Sequence, residues 1–259
     1  MAIQKTEAFV LKTQPFRTSS LLVTTFTRTF GKIKGVAKGV RREGTVHPGA
    51  FEPFTRLEIV YYEKIRSDIH LISEASILET YDPLRSDLET LAVAYYFSEL
   101  VDQLSEAHDP HEPIFELLSF AFQFLPTLPL PFLVRFFEVR LLHEVGLLPH
   151  LTGCLQCGGE NRDPSFFSLR QGAVVCQKCR KNFPEAKRVS GGVLEAMNSL
   201  MTDPVNRAGG QSLEGGIEKE LGDLLDGYLT DRIGKRLTTR RFLNQVRSLK
   251  SHSLQRTLR

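Results

Sequence analysis

The stretch that most constrains this chain is GCLQCGGENRDPSFFSLRQGAVVCQKCR, residues 153–180. It holds all four cysteines of the sequence as two Cys-x-x-Cys pairs, Cys154 with Cys157 and Cys176 with Cys179. Two residues between thiolates let one tight turn aim both sulfurs at a single ion, and two such turns complete a tetrahedral four-sulfur shell. The 18 residues between Cys157 and Cys176 fall in the spacing window of four-cysteine zinc sites. Gly158, Gly159 and Gly172 let the backbone fold tightly behind each pair, and SFFSLRQGAVVC reads as a hairpin joining the two turns. An iron–sulfur cluster uses the same four thiolates, and spacing alone does not exclude it. Two disulfides do not suit a reducing compartment, and a redox Cys-x-x-Cys normally stands alone beside a strand–helix unit. The expectation is one Zn²⁺ per chain. With every coordination position taken by protein, the ion is structural and not catalytic.

Around this insert the hydrophobic period changes once. Before residue 80, five β-rich segments (EAFVLKTQPF, SLLVTTFT, GKIKGVAKGV, TRLEIVYYE and DIHLISEASILE) are separated by turn residues. That count predicts a small barrel of the oligonucleotide-binding (OB) type over residues 1–80, although other small barrels share it. From Asp82-Pro83, an N-cap and first-turn pair, apolar residues recur at helical spacing. Phe115, Phe120, Phe122, Phe124, Phe132, Phe136 and Phe137 read as helical core. The fold class is therefore α+β and multidomain: an OB-type barrel, an all-α domain at 81–152 and 188–259, and a zinc subdomain at 153–187 inserted into it.

Charge is unevenly placed. The net charge is only +3, yet residues 1–42 carry nine Lys/Arg against Glu7 alone, and residues 232–259 carry nine with no acid. Such ends attract polyanions, nucleic acid above all. Lys32 and Lys34 share a strand face and Lys38 keeps their parity; Arg41 and Arg42 open the next loop, and Arg17 and Arg28 lie nearby. Phe16, Phe26, Phe30, Tyr61 and Tyr62 offer possible stacking faces, so the pattern is that of a single-strand-binding barrel. Arg236 and Arg240 head a second cluster along a helix.

Enzyme motifs fail where they can be tested. Gly234-Lys235 is followed by Arg236 where a phosphate loop needs Ser or Thr, and Leu229 replaces its first glycine. Leu147 replaces the second histidine of a His-Glu-x-x-His starting at His143, and no G-x-S-x-G occurs. The expectation is a non-enzyme. A zinc-containing nuclease or other nucleic-acid-processing enzyme is the rival, and it would need an open acidic metal cluster. The uncharged run 117–134 is interrupted by Pro126, Pro129 and Pro131, which break any single spanning helix. MAIQKTEAFV lacks an apolar signal core. The expected location is cytoplasmic, with no membrane partner.

AFVLKTQPFRTSSLLVTTFTRTFGKIKGVAKGVRR, EVGLLPHLTGCLQCG, QGAVVCQKC and LLDGYLTDRIGKRLTTRRFL, in that order and over nearly the whole chain, resemble the bacterial recombination protein O (RecO) family. The resemblance implies an OB barrel, a helical domain with a zinc subdomain, and binding of single- and double-stranded DNA with annealing of complementary strands. It further implies work with RecR in displacing single-stranded-DNA-binding protein (SSB), indirect loading of RecA, association with the nucleoid, and capture of the acidic tail of SSB. Arg135 and Arg140 are the candidates for that tail.

Overall fold

The computed structural model of the chain describes residues 2–41, 49–160, 163–202 and 213–257, with side chains through residue 250. The element order is β1 (Ile3–Phe16), β2 (Ser20–Thr27), β3 (Gly31–Ala37), β4 (Arg56–Tyr62), β5 (Ile69–Glu79), α1 (Leu88–Leu104), α2 (Glu112–Phe124), α3 (Leu130–Glu144), β6 (Ser165–Ser168), β7 (Ala173–Cys176), β8 (Lys187–Val189), α4 (Gly191–Thr202), α5 (Gly215–Ile233) and α6 (Thr238–Thr257).

The first five strands close into a barrel in the order β1-β2-β3-β5-β4, with β3 and β5 parallel and the other neighbours antiparallel. Closure depends on the length of β1. Its first half pairs with β4 and its second half with β2, and the register shifts between Val10 and Lys12, the kind of bulge that bends a strand around a corner. Alternation fills the interior: Leu57, Ile59 and Tyr61 of β4 meet Val23, Ile33 and Ile72, all 5% exposed or less. This is the OB-type barrel expected from the five segments.

The chain divides into two compact units, Met1–Pro126 with Leu237–Arg259, and Thr127–Arg236. In the first, α1, α2 and α6 join the barrel. Phe9 of β1 lies 4.7 Å from Phe115 and 5.6 Å from Phe122 of α2, while Phe54 lies 4.7 Å from Tyr95 of α1. The helix expected from Asp82 starts later. Asp82–Arg85 is a 3₁₀ turn, and α1 begins only after Asp87, whose carboxylate accepts from the N–H groups of Glu89 and Thr90 at 3.0 Å. A side-chain oxygen that satisfies two orphan amides outranks an Asp-Pro pair that offers none. Of the seven phenylalanines expected in the helical core, Phe120 is half-buried and Phe124 is 37% exposed; their rings contact each other at 4.7 Å.

In the second unit, the sheet β7-β6-β8 and helices α3, α4 and α5 form the body. The Tyr228 hydroxyl of α5 donates to the Leu147 carbonyl at 2.9 Å, and its ring lies 5.9 Å from Phe167 of β6. Arg232 lies over the Tyr228 ring and donates to the carbonyls of Leu169 and Arg170 at the β6–β7 turn. The β6–β7 hairpin, which ends at Cys176, is thereby fastened to α5.

Candidate metal centre and nucleic-acid interface

The ligand atoms of Cys154, Cys157, Cys176 and Cys179 all lie within 4.8 Å of one another, and Cys157 Sγ stands 3.9 Å from Cys176 Sγ. A zinc–sulfur bond of about 2.3 Å sets tetrahedral sulfurs about 3.8 Å apart, so the cluster has the dimensions of a closed zinc site. Local backbone builds it. The Gly158 N–H donates to the Cys154 carbonyl and the Cys154 N–H to the Gly159 carbonyl, each at 2.8 Å, closing the first turn around Gly158 at φ 67°. A Cβ is disfavoured at that φ, which is why glycine stands there. The Cys179 N–H donates to the Cys176 carbonyl at 3.1 Å and closes the second turn. The Leu155 N–H bonds the Val174 carbonyl, which ties the first turn to β7. Phe166, Val175 and Ala186 pack beneath Cys154, which is 2% exposed.

Thiol chemistry in the cluster is polarised. Burial opposes ionisation of Cys154, but backbone N–H groups of Cys176, Cys157 and Gln156 outweigh it and bring the thiol down to about 6. Burial, then hydrogen bonding with the sulfurs of Cys176, Cys157 and Cys154, pushes Cys179 up to about 12. Four sulfurs this close cannot all carry charge without a cation among them. The donor set fits zinc, and all four positions are protein ligands. Among the described residues no other group of His, Cys, Asp or Glu side chains gathers three ligand atoms this way.

The cations singled out on the barrel fall into two sets. Lys32 and Lys34 do share a face of β3, with Ile33 turned into the core. Lys32, however, lies against α1: Nζ donates to the Asp102 carbonyl and stands 3.7 Å from its carboxylate, at 13% exposure. Burial, only partly offset by Asp102, lowers its pKa. Lys12 reaches the same carboxylate at 2.7 Å. Arg28 pairs with Glu112 and Glu116 of α2 at 2.6 Å each and lies 4.5 Å over the Phe115 ring. The seam continues in the backbone. The His108 N–H donates to the Lys32 carbonyl at 3.0 Å, and Gly31, at φ 63°, lies so close to Asp109 that a Cβ would overlap its carbonyl.

Arg17, Lys34, Lys38 and Arg41 are exposed and make no ion pair among the described residues. Arg17, at φ 55°, tops the β1–β2 turn with its guanidinium 5.6 Å from the Phe16 ring. The Arg41 N–H donates to the Ser19 carbonyl of that turn at 3.1 Å. Ala37, the residue before Lys38, pairs with Leu21 just beyond the turn. Three unpaired cations therefore gather at one rim. Lys34, which pairs with Thr24 on one side and Ile69 on the other, extends them across the barrel wall. Arg42 lies outside the described residues. Lys64 and Arg66, in the β4–β5 loop beside Lys34, also make no ion pair among the described residues, and the sequence pattern did not single them out. An alternating Lys-x-Lys marks a strand face, whereas two cations in a six-residue loop look like any solvated turn.

Of the aromatics named as stacking faces, Phe26 and Tyr61 are core at 2% exposure or less; burial, then Glu63, pushes the Tyr61 hydroxyl up to about 12. Phe16, Phe30 and Tyr62 are half-buried. Arg236 is exposed in the link after α5, and Arg240, in the first turn of α6, lies 5.4 Å over the Tyr96 ring. Arg135 is 2% exposed between Glu138 and Glu218, and Arg140 lies half-buried over Phe136 at 5.4 Å. Among the described residues no helix is long and apolar enough to cross a membrane.

Residues 1–81 match the family described as Recombination protein O N terminal, and residues 85–241 match Recombination protein O C terminal. The DNA repair protein RecO of Anaeromyxobacter sp. (strain K) is 31% identical over 247 residues, which cover 93% of this chain and 96% of that protein. RecO of Symbiobacterium thermophilum is 30% identical over 253 residues, 96% of this chain and 99% of the relative. RecO of Desulforamulus reducens is 29% identical over 247 residues, 95% and 96%. The two family models together span residues 1–81 and 85–241, and the chain belongs to the recombination protein O family of DNA repair and recombination proteins.

Proposed function

We propose that this chain is a DNA-binding recombination mediator. It holds single- and double-stranded DNA, anneals complementary strands, and with RecR helps load RecA at gaps coated by SSB. The observation that carries the reading is a closed OB-type barrel whose unpaired cations Arg17, Lys38 and Arg41 meet at the β1–β2 end, with Lys34 on the adjacent β3 wall. In barrels of this topology the β2–β3 face and the loops after β1 and β4 take oligonucleotides. Annealing needs two polyanions brought together. Cations supply the neutralisation and base pairing supplies the free energy, so the work requires no hydrolysis and no catalytic side chain. Arg236 and Arg240 are the second cationic group of the reading, and the sequence pattern adds Arg42, which lies outside the described residues.

The four cysteines hold one structural Zn²⁺ per chain in this account. Closed four-sulfur sites order a subdomain and leave no position for substrate. Metal analysis of natively purified protein is expected to give about one zinc per chain. For the acidic tail of SSB, Arg140 is better placed than Arg135, whose guanidinium is enclosed by two carboxylates. The protein acts in the cytoplasm, at the nucleoid.

The test is to mix purified protein with complementary labelled strands and, separately, with labelled DNA and magnesium. Faster annealing without cleavage supports the reading. Cleavage would make the chain a nuclease, and failure to retain any oligonucleotide in dilute buffer would end the DNA-binding account.

A further inference from the structure

The tip of the β4–β5 loop carries Ile65, which is 92% exposed, the most exposed large apolar side chain of the described residues. Lys64 precedes it and Arg66 follows it, and neither makes an ion pair among the described residues. The loop is held at both ends. The Glu63 N–H donates to the Ala2 carbonyl at 2.9 Å, and the Glu63 carboxylate accepts from Gln4 Nε2 at 3.3 Å. The Lys64 N–H donates to Nδ1 of His70 at 3.3 Å, and that ring, 2% exposed, stacks on Tyr61 at 5.3 Å. On the far side Ser67 Oγ accepts from the Ile69 N–H at 3.1 Å. Ile69 pairs with Lys34, so a third unpaired cation stands at the loop's root. Asp68 is the one acid in the loop beyond Glu63.

A β-branched aliphatic side chain kept in water at a fixed tip has no folded-state contact that explains it. Flanking cations on a nucleic-acid-binding barrel select a partner with phosphates outside and apolar faces inside. Proteins that part base steps use this chemistry: an aliphatic wedge between bases, with positive charge on the neighbouring phosphates. We propose that Ile65 enters between adjacent bases of bound DNA while Lys64, Arg66 and Lys34 hold the phosphates on either side. The inference rests on the DNA-binding reading above and gives it a contact to the bases in addition to the backbone. Its consequence is that bound strands are unstacked at the tip, which presents their base edges for pairing.

The experiment uses the full chain and an oligonucleotide containing 2-aminopurine, whose fluorescence rises when it leaves the stack. Wild type is expected to raise the signal. Ile65→Ser, a fully exposed change that leaves the fold intact, is expected to abolish most of that rise and weaken binding about tenfold, with the salt dependence unchanged. Lys64→Ala with Arg66→Ala is expected to lower the log–log salt slope by about 1.4 for single strands. If Ile65→Ser binds and unstacks DNA as wild type does, the wedge is overturned and the DNA-binding reading stands. If wild type binds no oligonucleotide, that reading falls and takes the wedge with it. If Ile65→Ser instead abolishes sedimentation with anionic lipid vesicles and leaves the DNA signals alone, the tip is a lipid contact and the proposal is overturned.

Discussion

Lys32 and Lys34 stand two residues apart on the same face of β3, yet they belong to different regions of the barrel surface. Lys32, with Lys12 and Arg28, faces carboxylates of α1 and α2: Asp102, Glu112 and Glu116. Lys34, with Arg17, Lys38 and Arg41, meets no carboxylate among the described residues. The two sets look alike as a run of basic residues. They differ because the α1–α2 connection crosses the barrel at Gly31 and Lys32, where His108 and Asp109 touch the strand, and stops short of the rest of β3. A cation that already neutralises a carboxylate of a helix packed on the barrel contributes to folding. One that faces water is available to release counterions from a phosphate backbone. In this account the first set docks helices and the second grips DNA.

The contrast should appear first in stability. Asp102 is 9% exposed and serves two lysines, one of them 13% exposed. Asp102→Ala leaves Lys32 buried without its carboxylate, and a loss of about 3 kcal/mol is expected by urea titration. Alanine at Arg17, Lys38 or Arg41 should change stability by no more than about 0.5 kcal/mol each, since these side chains make no ion pair to lose. Equal losses at the two regions would erase the distinction.

Acid should weaken the docked region next. Burial, reinforced by the neighbouring His108, lowers the pKa of His70. Its ring lies 5.2 Å from that of His108, whose backbone holds Lys32. A histidine with a depressed folded value stays neutral in the native state while the unfolded chain takes a proton. The stability it supports is therefore present above its ordinary pKa of about 6.5 and is lost as pH falls through the lower folded value. Melting temperature should drop across that window, and His70→Gln should flatten the drop. An unchanged slope in the variant would mean that another group sets it.

The smallest effect is expected where α6 meets α1. Lys250 pairs with Asp87 and Glu89 at 3.0 Å each but is 45% exposed on its side chain. Lys250→Ala should cost roughly 0.5 kcal/mol at low salt and almost nothing at high salt. A cost near that of Asp102→Ala would show that exposure is not what separates strong pairs from weak ones here.

Sequence alone reached the cysteine cluster because all four ligands lie within one short segment, where two Cys-x-x-Cys turns determine the geometry and no distant partner is required. It reached the barrel because period-2 patterning is local, as Leu57, Ile59 and Tyr61 show by turning inward together. It did not separate Lys32 from Lys34. Arg28 and Glu112 are 84 residues apart, and Lys32 bonds a carbonyl 70 residues away; no local pattern encodes such pairs. The same limit applies to Arg135. On its apolar helix Arg135 reads as a cation open to an acidic tail until Glu218 of α5, 83 residues on, encloses it. The start of α1 differs by a smaller margin: Asp82-Pro83 reads as the cap, but it is the Asp87 carboxylate that reaches two amides.

The most direct test is the salt dependence of single-strand binding by two variants of the full chain. One carries Arg17→Ala, Lys34→Ala, Lys38→Ala and Arg41→Ala; the other carries Lys12→Ala, at a docked lysine exposed enough to be removed without unfolding the protein. The account predicts that the first lowers the log–log slope by about 2.8, four phosphate contacts at about 0.7 each, and that the second leaves it where it was. An unchanged slope in the first variant, or an equal fall in the second, would contradict it.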